Sequence, residues 1–387
     1  ASSPPMPRIP FLAICLLSLA SGLPGQIPAP APLPSAPPTM APLPPPASGW
    51  EHTELARTSL GWRDNVLLSP FAPMARAFGR AEVEAFVFRA RHDWQLVSFV
   101  NGDVLRYFSP PPETAGEQQW FGHGEVRWQH WPAWRVALKA DAFLQDAVID
   151  LSETEAVRTI APTRVRGAFA TAATRVKLPA GFALEPLVQL KRTDYREFPG
   201  DYDETKTGVR LEWKHGEAFG LTAAGYEHRR SYAERQQFTA GGRARAGTRL
   251  HFWQRAAEIK ATTGWSGGGK WNVAVTAGRL ENRDRSAGFF DYTQERARLE
   301  LTWQRAGWKA TFDGEAKRMD YLVQTVGAGT APPARTADNF ETSVHVEREL
   351  TVAWTIFAQH RWERNRSNEI GFSYRANTVL AGVQRSF

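Results

Sequence analysis

The chain has 387 residues, of which 42% are hydrophobic, with a mean hydropathy of -0.41. Beyond the N-terminal apolar stretch, no segment holds the roughly 18 apolar residues of a membrane-spanning helix. Any crossing of a bilayer must therefore use strands closed into a barrel. The net charge of +7 and pI near 9.6 would attract phosphate polymers. Lys and Arg are scattered one per strand or turn, however, which points away from nucleic acid and toward a charged lumen and rim.

The order along the chain begins with Met6-Pro7-Arg8 and the apolar run Phe11 to Ala20, where Ser18 and Ala20 are small enough for cleavage. This is the pattern of a secretory signal peptide, assigned to residues 1–25. Cys15 is the only cysteine and lies inside that run. Disulfides and thiolate metal sites are thus excluded from the rest of the chain, and no cofactor or metal is expected. The bulky Ile14 before Cys15 argues against lipidation. Residues 26–49 follow, with Gln26 to Pro46 almost wholly Pro, Ala, Leu and Ser. Such composition cannot pack a core and reads as an extended tether, a passive linker in preference to a partner-binding role for its proline runs.

From about Trp50 to the end the chain alternates in polarity between Gly, Pro, Asn and Asp punctuation, so residues 50–387 are read as strands. Thr205, Thr207, Val209, Leu211 and Trp213 fall on one face, opposite Lys206, Arg210, Glu212 and Lys214. Ala297, Leu299, Leu301 and Trp303 oppose Arg296, Arg298, Glu300 and Thr302. Trp308, Ala310, Phe312 and Gly314 oppose Lys309, Thr311, Asp313 and Glu315.

The connections carry the topology. Short turns are predicted at Ala90–Asp93, Trp131–Trp134, Leu178–Gly181, His215–Glu217, Ser266–Lys270, Arg305–Gly307 and Arg348–Glu349. Between them fall longer connections at Asp64–Arg80, Phe108–Gln119, Leu151–Pro162, Phe198–Glu204, Ser231–Phe252, Glu281–Asp291, Leu322–Asn339 and Glu363–Ser367. Short and long alternate without a break, as in a barrel with tight turns on one side and long loops on the other. The segments between them number about sixteen, each spanning with roughly 10 residues. The expected fold is all-β: a transmembrane antiparallel up-and-down barrel.

The final stretch Ile370 to Phe387, IGFSYRANTVLAGVQRSF, resembles the closing strand of bacterial outer-membrane β-barrels of the porin-like kind. In that family a terminal Phe preceded by alternating apolar residues is read by the barrel-assembly machinery. Here Val379, Ala381, Val383 and Phe387 fit the pattern, and Arg385 departs from it. LGWRDNVLLSP at Leu60 to Pro70 also looks like the first strand and loop of several porin-like and secretion barrels. The resemblance implies a bacterial outer-membrane location. The partners it implies are outer-membrane lipid and lipopolysaccharide, the assembly machinery and small hydrophilic solutes.

Motifs for chemistry are sparse. Gly264-Trp265-Ser266-Gly267-Gly268 has the G-x-S-x-G form, but strands flank it on both sides, so it reads as a hairpin turn and not a nucleophile elbow. His123 with Glu125, and His345 with Glu347, share a strand face at two-residue spacing. Each is half of a catalytic dyad at most, and no nucleophile accompanies it. Asp201, Asp203 and Glu204 form an acidic run that lacks the spacing of a calcium loop.

The predicted pore-lining set is Arg127, Arg135, Lys139, Lys206, Arg210, Glu212, Arg296, Arg298, Glu300, Lys309, Asp313 and Glu315. Lys214, Glu125 and Asp141 stand beside it. Mixed charge with a basic excess implies a wet lumen that modestly favours anions, and a ring of about sixteen strands is wide enough to hold one. The expected function is a channel for small hydrophilic solutes, narrowed by an inward loop at Ser231–Phe252 or Leu322–Asn339, with no catalytic residues. Export of a polymer such as a polysaccharide, or enzymatic action on lipid or peptide, are the alternatives.

Overall fold

The structure, a computed structural model, describes residues 49–111, 114–150, 160–216 and 218–387. The predicted signal peptide, the tether and most of the connection read at Leu151–Pro162 lie outside the described residues. Alternating sequence becomes sixteen strands: β1 (Glu51–Arg63), β2 (Arg76–Ala90), β3 (Trp94–Tyr107), β4 (Gly116–Trp131), β5 (Trp134–Asp150), β6 (Ile160–Lys177), β7 (Phe182–Tyr195) and β8 (Tyr202–His215). They continue as β9 (Phe219–Tyr232), β10 (His251–Ser266), β11 (Lys270–Arg283), β12 (Tyr292–Arg305), β13 (Trp308–Thr325), β14 (Ala334–Glu349), β15 (Trp354–Ser367) and β16 (Tyr374–Ser386). Each strand pairs antiparallel with its sequence neighbours, and β1 pairs with β16 to close the ring.

Closure leaves no strand edge unpaired, which is what a sheet must achieve before it can enter lipid. The start of β1, the end of β16 and the short turns share one end, the periplasmic one in this architecture, and the long loops share the other. The turn between β12 and β13 is Ala306-Gly307, with φ of 47° and 77°. Two consecutive left-handed residues match the right-handed twist of the flanking strands.

The strands run 13 to 18 residues, longer than the roughly 10 needed to span. They continue past the membrane as hairpin ladders, which corrects several predicted connections. Most of Leu322–Asn339 belongs to β13 and β14, leaving 326–333 as the loop. Glu363–Ser367 lies within β15, with the connection at 368–373, and the turn read at Arg348–Glu349 falls at 350–353.

Period-two alternation sets two faces. The outward face carries large exposed apolar residues such as Leu60, Leu138, Leu190, Ile259, Val275 and Val344. At its periplasmic edge a girdle of aromatics includes Trp94, Trp134, Trp213, Trp271, Trp308 and Trp354. Rings and apolar side chains in that arrangement match the interface and core of a bilayer. Where the outward wall lacks a side chain, a neighbour covers it: a Cβ on Gly102 would sit 2.2 Å from the Trp120 ring, so Trp120 lies flat across the glycine.

Candidate functional site: the inward face of the barrel

The register places all twelve residues predicted to line a pore on the inward face. Glu300 pairs with Asp313, Arg298 with Glu315 and Arg296 with Lys317 across β12–β13. Lys206 and Arg210 on β8 share their face with Gln189 and Glu185 on β7, and Glu125 on β4 faces Lys139 on β5. A hydrogen-bonded ladder sets these side chains side by side, so alternating sign yields cross-strand ion pairs.

Arg298 donates to Asp313 at 2.6 Å, Arg296 to Glu315 at 2.6 Å, Lys309 to Glu347 at 3.2 Å and Arg210 to Glu185 at 2.8 Å. Arg127 donates to Glu125 at 2.6 Å, and Lys139 approaches the same carboxylate at 3.6 Å. Arg135 stands 4.0 Å from Glu185, and Glu212 pairs with Arg175 at 2.5 Å. Lys191 and Lys206 face inward over the rings of Tyr202, at 5.5 Å, and Tyr226, at 3.9 Å, with Glu204 opposite Lys191 in the register. Neither has a carboxylate ion pair among the described residues. Single-sequence reading found Lys206 but missed Lys191, because only the register reveals that its aromatic partner belongs to another strand.

Both histidines singled out in the sequence are held by carboxylates. His123 Nδ1 lies 2.6 Å from Asp141, with Glu125 at 3.8 Å from Nε2, and His345 Nε2 lies 2.8 Å from Glu347. Neither ring hydrogen-bonds a hydroxyl among the described residues. The acidic run of β8 is dispersed by alternation: Asp203 points outward, Glu204 points inward onto Arg230 at 2.7 Å, and Asp201 caps the Tyr195 N–H. No cluster of three or more metal-ligating side chains occurs among the described residues.

A cavity of about 440 Å³ opens inside the barrel between β1–β5 and β14–β16. Arg57, Arg63, Arg80 and Arg361 line it, with Glu82, Asp103, Glu117, Gln145 and Gln359, against an apolar wall of Phe78, Leu105, Phe357 and Leu380. Arg80 grips Asp103 through two hydrogen bonds of 2.7 and 2.8 Å, and Arg63 reaches Glu117 at 2.6 Å.

The loop that enters this region is the first one, at 64–75, which was not among the two expected. Its Val66 is wholly buried in a cluster with Phe78, Leu105, Tyr107, Phe357 and Leu380. Asn65 anchors it to β16 by donating to the Arg375 carbonyl at 2.9 Å, and Asp64 accepts two 2.6 Å hydrogen bonds from Asn377. The Ser231–Phe252 segment instead packs Phe238 and Leu250 with Phe289 and Phe290 of the 284–291 loop, against the inner rim of β8–β10. Arg235 lies 4.6 Å from the Tyr232 ring there.

On the closing strand, Val379, Ala381, Val383 and Phe387 all occupy outward positions, and Arg385 joins them.

No protein-family model matches the chain, and no curated protein matches it by sequence. Among solved structures it is similar to OccAB3 of Acinetobacter baumannii, at 8% identity and a TM-score of 0.47 over 87% of this chain and 98% of that one. It is also similar to OccK2 of Pseudomonas aeruginosa in complex with glucuronate, at 11% identity and 0.47 over the same shares. A third is a bacterial polysaccharide outer membrane secretin, at 9% and 0.41 over 87% and 97%. The fold assignment rests on the strand pairing itself. The chain is a closed, even-stranded antiparallel barrel with short turns at one end and an apolar outward belt, the architecture of bacterial outer-membrane proteins.

Proposed function

We propose that the protein is an outer-membrane channel for the passive diffusion of small hydrophilic solutes, with a mild preference for anions. The observation that carries this reading is the inward face. Its guanidinium, ammonium, carboxylate and amide groups line a shared interior. Burying so many charges in a dry core would cost several kcal/mol per ion, so the wall is built for water. Cross-strand compensation keeps the field weak, and inward lysines outside ion-pair distance of a carboxylate, Lys191 and Lys206 among them, give it a positive sign.

Mechanism on this reading is diffusion past a charged wall with no covalent step. On this reading His123 and His345 brace carboxylates in that wall. The purified barrel, reconstituted in planar bilayers, is expected to give stepwise conductance and a reversal potential shifted toward the anion in a salt gradient. Silent bilayers from protein shown to be folded would overturn the proposal.

A further inference from the structure

The outward face is asymmetric along the barrel axis. Its periplasmic edge carries most of the tryptophans, whereas its loop-side edge carries arginines on strand after strand. Lysine takes no part: the lysines of the strands, such as Lys139, Lys206, Lys260 and Lys309, hold inward register positions. Over most of the circumference the loop-side arginines have a carboxylate, Arg106 of β3 being an exception. Arg164 pairs with Asp146 at 2.7 Å, Arg229 with Glu227 at 2.7 Å, Arg279 with Glu295 at 3.0 Å and Arg318 with Asp338 at 3.6 Å.

The pattern breaks at the closing strands. Arg364 of β15 stands directly opposite Arg375 of β16 in the register, and Arg366 is the next outward residue on β15. All three are exposed, and none forms an ion pair within 4 Å among the described residues; Asp338 of β14, opposite Arg366 in the register, is engaged at 3.6 Å by Arg318, and neither Arg364 nor Arg375 has a carboxylate register partner. Asp64, next to β16, is taken up by its two hydrogen bonds from Asn377. Like charges directly opposite one another on a sheet destabilise it. An anion seated between the two guanidiniums reverses the sign of that interaction, and the planar fork of Arg suits phosphate oxygens bidentately where Lys offers a single point charge. Below the trio along the same face lie Trp362 and His360 on β15 and Asn377, Val379, Ala381 and Val383 on β16, mostly apolar once past the first pair. An apolar strip surmounted by paired guanidiniums fits a molecule with acyl chains beneath a phosphorylated head.

We propose that Arg364, Arg366 and Arg375 form an outward-facing site for the phosphate of a lipid headgroup in the outer leaflet, the phosphorylated glycolipid of lipopolysaccharide. The site rests on the barrel standing in a membrane and is independent of what passes through the lumen.

The test places the full-length barrel in phosphatidylcholine nanodiscs, adds lipid A carrying both phosphates or the same lipid after dephosphorylation, and reads retained lipid by native mass spectrometry. The unmodified protein is expected to retain the phosphorylated lipid and release the dephosphorylated one, a comparison that needs no mutant to fold. The R364Q/R366Q/R375Q variant is expected to bind at least about tenfold more weakly, about 1.4 kcal/mol, while Arg229→Gln on the far wall binds as the unmodified protein does. Equal retention of both lipids, or unchanged affinity in the triple variant, would overturn the site. Displacement of the lipid by inorganic phosphate at low concentration would also overturn it, by reducing the site to a free-anion site. Conductance measured on the same preparations keeps the two readings separate, since these residues face away from the lumen.

Discussion

The guanidinium of Arg385 lies 4.7 Å from the ring centroid of Phe387 and 5.6 Å from that of Trp354. Arg385 is the one residue of the closing strand that departs from an apolar alternation, and this stacking explains its presence. At the periplasmic edge of the belt the side chain spreads over two aromatic faces and keeps its charge at the water interface. The same device recurs at Arg348 over Trp308 and Arg89 over Trp50. Arg385→Ala is therefore expected to lower stability by about 0.5–1 kcal/mol, while Arg385→Leu, which deepens the apolar belt, is expected to slow assembly less than Arg385→Glu. Urea-induced unfolding in vesicles and band-shift folding assays measure the two effects. Wild-type stability in the alanine variant would remove the stacking account.

Gly61 and Phe78 are register partners whose packing admits no Cβ. A methyl at Gly61 would sit 2.4 Å from the Phe78 ring and 2.7 Å from the Val379 carbonyl oxygen. The ring can rotate away, but the carbonyl belongs to the closing ladder and cannot. Gly61→Ala is expected to cost about 1–3 kcal/mol as overpacking, and adding Phe78→Ala is expected to leave the variant still unstable, since the backbone clash remains. Full recovery in the double variant would show that the ring alone sets the constraint.

The buried Val66 holds the first loop against Phe78, Leu105 and Leu380. Val66→Asp puts an unpaired carboxylate into that cluster, a change that costs several kcal/mol unless the segment moves out to water. The expected result is a loop cleaved by added protease between 64 and 75, together with a raised single-channel conductance. A loop that stays resistant, with unchanged conductance, would mean that it does not narrow the lumen.

Lys191 and Lys206 add positive charge to the lumen on the channel reading, because each lies over an aromatic ring and outside ion-pair distance of a carboxylate. The double variant Lys191→Gln/Lys206→Gln removes two positive charges and leaves Glu204 and Glu258 in place on the same face. The reversal potential in a salt gradient is expected to move toward the cation side. A shift in the opposite direction, or none, would assign the anion preference elsewhere.

Alternation alone disclosed most of the architecture. The faces around Lys206, Arg298 and Asp313 were legible because a one-residue slip would turn every side chain over. The strand ends were not, since Leu322 and Glu363 sit in ladders that outrun the bilayer, and nothing local in sequence tells a spanning residue from one just above the membrane. Partners remote in sequence were equally hidden. The approach of Val66 to Leu380 and the opposition of Arg364 to Arg375 exist only once the ring closes.

The hairpin at Ala306-Gly307 offers a change that stabilises. Ala306 adopts φ of 47°, in the left-handed region that an alanine Cβ resists, while Gly307 at 77° does so freely. Asn tolerates this conformation, and Asn-Gly is the preferred pair for the type of turn that matches strand twist. Ala306→Asn is expected to raise stability by about 0.5–1 kcal/mol, part of the cost that the left-handed region imposes on a residue with a Cβ. Its carbonyl also accepts a hydrogen bond from Arg348, which the substitution leaves intact. Equilibrium unfolding of Ala306→Asn against Ala306→Val separates backbone fit from side-chain volume: Val should destabilise where Asn stabilises, and the same shift in both would place the effect outside the turn.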